Sequence, residues 1–127
     1  MKPKKILMVA GEVSGDLHGA HLMEAIQRID PEIQFFGVGG DHLESKGMKI
    51  LYPAYSLSVV GLTEVVLKLR SILKALQGLK KSFDRERPDL IILIDFPDFN
   101  LRLAKMAHRR GIPVLYYISP QVWAWRR

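Results

Sequence analysis

The sequence predicts an α/β fold, in which a parallel sheet is covered by helices on both faces. One observation is the unbroken run of large apolar residues Leu90–Ile94. Such a run has no polar face, so it is typical of a strand buried on both sides. A second observation is that apolar runs alternate with segments of helical periodicity along the whole chain. This alternation favours a parallel sheet with right-handed crossovers.

The first predicted strand is Lys5–Ala10, which leads into a glycine-rich turn at residues 11–16. Apolar residues then recur at helical spacing, at Leu17, Ala20, Leu22, Met23, Ala25 and Ile26. Ser14 or Asp16 is a candidate N-cap of this helix. The main-chain amides of the turn and of the first helical turn are expected to face a ligand.

Residues 33–38 are predicted to form the second strand, which ends at a pair of glycines. A helical turn is expected over residues 41–47, and a third strand over residues 48–52, where Pro53 stops it. After the central strand, a helix is predicted from Asp98 to Arg110, followed by a last strand at residues 113–118 and a tail.

The clearest predicted helix spans residues 62–83. Its apolar residues recur at spacings of three and four, at Leu62, Val65, Val66, Leu69, Ile72, Leu73, Leu76, Leu79 and Phe83. The ordinary interpretation is that this face packs on the sheet. The alternative is that some of these residues are exposed and, with flanking lysines and arginines, rest on an anionic bilayer. A division of roles, with the helix ends exposed and the middle buried, also stays open.

Four unusual segments each follow a predicted strand, at residues 11–16, 37–41, 95–100 and 119–125. In a parallel sheet they are expected to converge on one rim, where ligands bind. Asp95 is the first candidate for chemistry, because it lies where the buried strand leaves the core. With Asp98 it forms a pair of carboxylates that suits general-base work. The competing interpretation is that Asp95 only secures the loop or caps the next helix.

Composition narrows the function classes. The chain has 127 residues, a formal net charge of +6 and no cysteine. It suits one domain without a disulfide framework. Its charge favours anionic partners, which could be nucleic acid, phosphorylated sugars or acidic lipid surfaces, and does not choose among them. No nucleic-acid signature, dinucleotide fingerprint or P-loop is present, and His18 and His21 lack the carboxylates of a metal site. No stretch approaches the length of a transmembrane helix.

Taken together, four segments resemble the bacterial lipid-A-disaccharide synthase family. They are AGEVSGD at residues 10–16, GVGG at 37–40, IDFPDFNLRL at 94–103 and YISPQVWAWR at 117–126. The resemblance implies two Rossmann-like domains facing a cleft, the GT-B arrangement, of which this chain would be the N-terminal, acceptor-side half. Family members run on for well over twice this length, so the donor-nucleotide domain is expected to be missing here and the chain alone to be inactive.

The resemblance also implies an activity. Family members are inverting glycosyltransferases that join UDP-2,3-diacylglucosamine to 2,3-diacylglucosamine 1-phosphate and release UDP. They need no metal or other cofactor, and work at the inner face of the cytoplasmic membrane. We therefore expect a cytoplasmic, peripheral membrane protein with no nucleic-acid partner. The sequence leaves open whether it forms a homodimer.

Site residues follow from the same resemblance. Asp95 matches the proposed general base for the acceptor 6-hydroxyl. The residues expected to bind substrate are Gly11, Glu12, Ser14, Gly15, Asp16, Asn100, Ser119 and Gln121. Those expected to meet membrane or acyl chain are Leu62, Val65, Val66, Leu69, Ile72 and Leu73. The main rival hypothesis is a non-catalytic α/β module that binds a lipid or partner. A flavodoxin- or receiver-like domain ranks last, because Glu12 and Asp16 are not spaced as the acidic pair of a receiver.

Overall fold

The computed structural model describes residues 3–54 and 62–118, without the side chains of residues 62–68 and 98. The strands are β1 (Lys5–Ala10), β2 (Gln34–Gly39), β3 (Lys49–Pro53), β4 (Leu90–Ile94) and β5 (Val114–Tyr117). The helices are α1 (Val13–Ile29), α2 (Asp41–Ser45), α3 (Leu62–Glu86) and α4 (Pro97–Arg109). Each predicted strand and helix is therefore present within the described residues.

All five strands are parallel and lie in the order β3-β2-β1-β4-β5. From β1 the chain first moves outward through β2 to β3. Helix α3 then carries it back across the sheet to β4, on the other side of β1. The direction of winding therefore reverses between β1 and β4, and in open α/β sheets ligands bind at the carboxyl ends of the strands at such a reversal.

Side chains alternate along the central strands and form a core on each face. Leu7 and Val9 of β1 pack on one face with buried residues of α3 and α4. Met8 and Ala10 pack on the other face with buried residues of α1 and α2. The prediction of helices on both faces is confirmed. Both faces of the sheet are buried, because its central strands carry almost only apolar side chains.

Helix α3 is much longer than the sheet is deep. Its 25 residues correspond to about 37 Å of helix, whereas a strand of this sheet spans about 17 Å. Its C-terminal half is in the core, through Ala75, Leu76, Leu79 and Phe83. Because α3 follows β3, its N-terminal half begins at the rim formed by the carboxyl ends of the strands.

Exposed leucines mark the N-terminal half of α3. Leu69 is 52% exposed and Leu73 is 51% exposed, whereas Ile72 is partly buried against the core. The predicted division of roles is right for this half but wrong at the C-terminal end, where Leu79 and Phe83 are fully buried. Leu62, Val65 and Val66 lie outside the described side chains. None of the described helices is both long and apolar enough to cross a membrane.

The N-cap prediction for α1 is wrong. The helix begins at Val13, with Glu12 in the N-cap position, and no described side chain caps it. Ser14 and Asp16 both lie inside the first turn. A second difference is that β2 continues to Gly39 instead of ending at residue 38. Gly37 lies within this strand, as predicted, and has φ +145°. A β-carbon there would lie 2.1 Å from the Met8 carbonyl oxygen, so only glycine fits.

Candidate active site

The candidate site lies where the winding reverses. Ala10, the last residue of β1, pairs in register with Ile94, the last residue of β4. The residues that follow, Gly11-Glu12 and Asp95, therefore leave neighbouring strands at the same rim. A cavity of about 550 Å³ opens there, lined by Glu12, Asp95, Phe96, Pro97, Leu101, Tyr116 and Ile118. Apart from the two carboxylates and the tyrosine, its walls are apolar.

A second cavity lies on the other side of Glu12. It has about 280 Å³ and is lined by Gly11, Glu12, Val13, Asp16, Gly40, Asp41, His42 and Ala54. Glu12 thus contributes to two cavities, one facing β4 and α4 and the other facing α2. Three of the four segments that were predicted to converge do meet at this rim. The fourth, residues 119–125, lies outside the described residues.

The backbone around Asp95 is strained. Asp95 has φ +46° and Phe96 has φ +50°, so two consecutive residues with side chains adopt the left-handed conformation. Each such residue costs about 1–3 kcal/mol, and such strain persists only where neighbouring groups impose it. The Asp95 N–H donates to the Tyr117 carbonyl at 2.9 Å. The Asp95 carbonyl accepts from Asn100 Nδ2 and from the Tyr116 hydroxyl, each at 2.8 Å.

Gly11 makes room for this turn. A β-carbon at Gly11 would lie 2.7 Å from the Phe96 ring, which is too close for any other residue without a shift of the ring. The ring also lies against Phe99, with 5.6 Å between the ring centroids. The glycine after β1 therefore allows Phe96 to cover the end of the sheet, while Asp95 stays partly exposed at the cavity.

Asp16 borders the second cavity but is absent from the walls of the cavity beside Asp95. It is 3% exposed, and its carboxylate accepts the main-chain N–H groups of Gly40, His42 and Leu43 at 2.7, 2.9 and 3.1 Å. These are the free amides at the start of α2, so Asp16 caps that helix rather than its own. The partners of the Asp16 carboxylate are thus main-chain groups of the protein itself. Asp16 stabilises the segments that form the rim instead of holding a substrate.

Asn100 is also committed inside the protein. It is fully buried, and its Nδ2 donates to the carbonyls of Ile94 and Asp95 at 3.2 and 2.8 Å. Its Oδ1 has no hydrogen-bond partner among the described residues. The expected direct contact between Asn100 and a sugar or phosphate does not fit this position. Asn100 instead lies directly beneath the Asp95 main chain.

The ion pairs that shift a pKa lie outside the two cavities. The Lys46 ammonium, 2.8 Å from Glu24, and then Arg28 lower the pKa of the Glu24 carboxyl. The Arg110 guanidinium, 2.6 Å from Asp84, lowers the pKa of the Asp84 carboxyl. Both pairs join neighbouring helices rather than line the cavities. Among the described side chains, which leave out those of residues 62–68 and 98, no three His, Asp or Glu residues are grouped so that they could hold a metal ion.

Comparison with known proteins decides the family. The family model for lipid-A-disaccharide synthetase matches residues 6–127. The chain belongs to this family. A lipid-A-disaccharide synthase from Syntrophus aciditrophicus is 56% identical over 127 residues, which cover all of this chain and 33% of that protein. The chain therefore spans about a third of the length of such relatives.

Solved structures agree on the fold. MurG from Acinetobacter baumannii aligns with 91% of this chain and 34% of its own, with a TM-score of 0.57 and 20% identity. A calicheamicin glycosyltransferase aligns with 94% of this chain and 31% of its own, with a TM-score of 0.57 and 18% identity. This lipid-A-disaccharide synthase family chain thus has the fold of one Rossmann-like domain of a GT-B glycosyltransferase.

The remaining predicted site residues divide by position. Ser14 is exposed in the first turn of α1, whereas Gly15 is buried, and a β-carbon there would lie 3.3 Å from the Ile94 side chain. Ser119 and Gln121 lie outside the described residues. The predicted site lacked five residues that line the cavity beside Asp95, namely Phe96, Pro97, Leu101, Tyr116 and Ile118. All of them except Tyr116 lie within the segments 94–103 and 117–126 that carry the family resemblance.

Proposed function

We propose that this chain is the acceptor-side domain of an inverting hexosyltransferase of lipid A biosynthesis. The reaction transfers 2,3-diacylglucosamine from UDP-2,3-diacylglucosamine to 2,3-diacylglucosamine 1-phosphate, with release of UDP. The observation that carries the proposal is the carboxylate of Asp95 beside an apolar cavity, at the point where the sheet reverses its winding. A base at such a point suits the activation of a sugar hydroxyl that belongs to a lipid.

Asp95 would act as the general base. Its carboxylate takes the proton of the acceptor 6-hydroxyl while that oxygen forms a bond to the anomeric carbon of the donor. The bond from this carbon to the UDP oxygen breaks on the opposite face, so configuration is inverted. For this step the carboxylate must come within about 2.6–3.2 Å of the hydroxyl oxygen. The cavity beside Asp95 leaves room for a sugar to approach that closely.

Apolar and basic residues support a lipid substrate. Phe96, Leu101 and Ile118 give the cavity beside Asp95 walls that suit an acyl chain. On α3, exposed Leu69 and Leu73 are interleaved with exposed Arg70 and Lys74. Apolar side chains among cations are typical of a helix that lies on an anionic membrane. We place the domain at the inner face of the cytoplasmic membrane, with this half of α3 at the surface.

Substrate contacts are assigned by position. Glu12 and Ser14 are exposed near the rim and are available to sugar hydroxyls, whereas the buried Gly11 makes room for the Phe96 ring. Ser119 and Gln121 stay proposed contacts on the strength of the sequence motif. Gly15, Asp16 and Asn100 act from beneath, through packing and hydrogen bonds to the main chain. The donor nucleotide is expected to be held mainly by the second domain of the complete enzyme.

A chimera tests the base. Residues 1–127 replace the matching segment of the Syntrophus aciditrophicus relative, and turnover is measured with both lipid substrates. Asp95→Ala and Asp95→Asn should each lower kcat by about 10²–10⁴-fold, the range expected for a general base. Asp84→Asn, at the far end of α3, serves as the control. Turnover of Asp95→Ala equal to that of the control would refute the assignment.

For the isolated chain, the exposed leucines favour a second, more modest function. The domain would bind an anionic lipid surface through α3 without catalysing transfer. This is the non-catalytic alternative raised by the sequence, and it requires no donor domain. Binding to vesicles without turnover by residues 1–127 would support it for the isolated chain.

A further inference from the structure

We propose that Asn100 and Tyr116 are positioning residues that hold the turn formed by Asp95 and Phe96 in its left-handed conformation and thereby fix the direction of the Asp95 carboxylate. The inference rests on the proposed role of Asp95 as the base. In this proposal, neither the Asn100 side-chain N–H groups nor the Tyr116 hydroxyl contacts the substrate. Both act through the main chain of the residue that would do the chemistry.

Both hydrogen bonds end on the same atom. Asn100 Nδ2 and the Tyr116 hydroxyl each donate to the carbonyl oxygen of Asp95 at 2.8 Å. One donor comes from α4 and the other from β5, so the carbonyl is held from two sides of the turn. The carbonyl carbon is bonded to the α-carbon, which carries the Asp95 side chain. The position of the Asp95 carbonyl group therefore determines the direction in which the Asp95 side chain leaves the main chain.

The conformation requires such support. Asp95 and Phe96 both have positive φ, at +46° and +50°, and neither is a glycine. For residues with a β-carbon the left-handed region is unfavourable, and two in succession are rare. Without the two donors, the turn is expected to relax to negative φ. That change would rotate the bond from the α-carbon to the β-carbon of Asp95 and swing the carboxylate away from the cavity.

The burial and the hydrogen bonds of Asn100 suit this positioning role. It is fully buried, and its second N–H reaches the carbonyl of Ile94, the last residue of β4, at 3.2 Å. The amide thus joins the end of the strand to the turn. Its oxygen has no partner among the described residues, so the buried amide is held by its donors alone. An apolar residue would fill the same space but would leave both carbonyls with fewer donors.

Neighbouring tyrosines provide a matched pair of variants. The Tyr116 ring packs with the α3 and α4 core, whereas the Tyr117 ring lies on the opposite face, 6.0 Å from the His18 ring. In the chimera, Tyr116→Phe removes one hydroxyl and should lower kcat about tenfold. KM should change by less than about threefold, because substrate contacts remain. Tyr117→Phe should leave both constants unchanged.

A second measurement follows the backbone directly. Residues 1–127 are labelled for NMR, and the sign of φ at Asp95 is read from backbone couplings and chemical shifts in the parent chain, Tyr116→Phe and Asn100→Ala. Positive φ is expected in the parent and a mixture with negative φ in the variants, with Asn100→Ala the more affected. If Asn100→Ala does not fold, Tyr116→Phe alone decides the test.

The outcomes separate the two proposals. Loss of turnover in Asp95→Ala, together with unchanged kcat and unchanged positive φ in Tyr116→Phe and Asn100→Ala, would overturn the positioning roles alone. Full turnover in Asp95→Ala would overturn the proposed base. A fall in kcat in Tyr116→Phe with constant KM and altered φ, alongside an inactive Asp95→Ala, supports both.

Discussion

Asp16 Oδ1 accepts the main-chain N–H of Gly40 at 2.7 Å and so joins the first turn of α1 to the start of α2. The same carboxylate accepts the N–H groups of His42 and Leu43. A buried carboxylate at a helix N-terminus satisfies amides that have no partner within the helix and also interacts favourably with the helix dipole. The glycine-rich turn after β1 and the end of β2 are thus held together at the rim.

Replacing Asp16 by Ala should therefore destabilise the domain. Loss of three buried hydrogen bonds to a charged group, with the amides left unpaired, is expected to cost about 2–4 kcal/mol of the free energy of unfolding. Urea denaturation of residues 1–127, followed by circular dichroism, measures this.

The exposed Asp41, in the first turn of the same helix, provides the control. Asp41→Ala should cost less than about 1 kcal/mol, because it loses only a solvent-screened interaction with the helix dipole. If the two variants lost equal stability, the capping role of Asp16 would be contradicted.

Sequence reasoning found Asp16 but mistook its partner. A polar residue just before an apolar, helical pattern predicts a cap for that helix, because the rule considers only nearby residues. Here the amides that it binds begin 24 residues further along the chain. They come within reach only because β1 and β2 pair in parallel and bring both turns to one rim. The capping role could not be predicted without that pairing.

Asn100 shows the same limit in the candidate site. The strand before it was predictable from its apolar run, and the place of Asp95 at the end of that strand followed. The left-handed turn could not be predicted, since neither Asp95 nor Phe96 is a glycine. Tyr116 was also missed, because its hydroxyl reaches the Asp95 carbonyl only when β5 pairs next to β4. Position along the chain could be predicted, whereas the direction of side chains at the rim required the assembled sheet.

Acid should weaken the contact between the C-terminal ends of α3 and α4. Arg110 lowers the pKa of the Asp84 carboxyl, chiefly through their hydrogen bond. A carboxyl with a lowered pKa in the folded state contributes stability above its unfolded pKa, and this contribution is lost as pH falls through the folded pKa. Asp84→Asn should thus be slightly less stable than the parent chain at neutral pH, and the difference should vanish once the pH has fallen below the lowered pKa of Asp84 in the folded state. Urea midpoints across pH measure this.

Salt provides the check on this interpretation. The pair is exposed, so its contribution is small and should shrink further at high ionic strength. At neutral pH, the difference between Asp84→Asn and the parent chain should fall when sodium chloride is raised to about 1 M. A difference that persists at low pH and in high salt would indicate that Asp84 acts through packing instead.

The exposed half of α3 should bind anionic membranes. Leu69 and Leu73 lie one helical turn apart and are about half exposed, with Arg70 and Lys74 exposed beside them. Inserting one leucine side chain into the bilayer interface gains about 1–2 kcal/mol, since its apolar surface leaves water. Leu69→Ser combined with Leu73→Ser should therefore weaken binding of residues 1–127 to anionic vesicles at least tenfold. Co-sedimentation with vesicles of phosphatidylglycerol measures it.

Leu17 provides the matched control, because it is an exposed leucine on α1, on the opposite face of the sheet. Leu17→Ser should bind vesicles as the parent chain does. Binding should also weaken as salt rises, since the basic side chains contribute through charge. Equal loss of binding in Leu17→Ser and in the α3 variant would show that binding does not depend on the exposed leucines of α3 in particular. Parent chain that remains in the supernatant with vesicles at low salt would mean that this half of α3 does not bind the membrane.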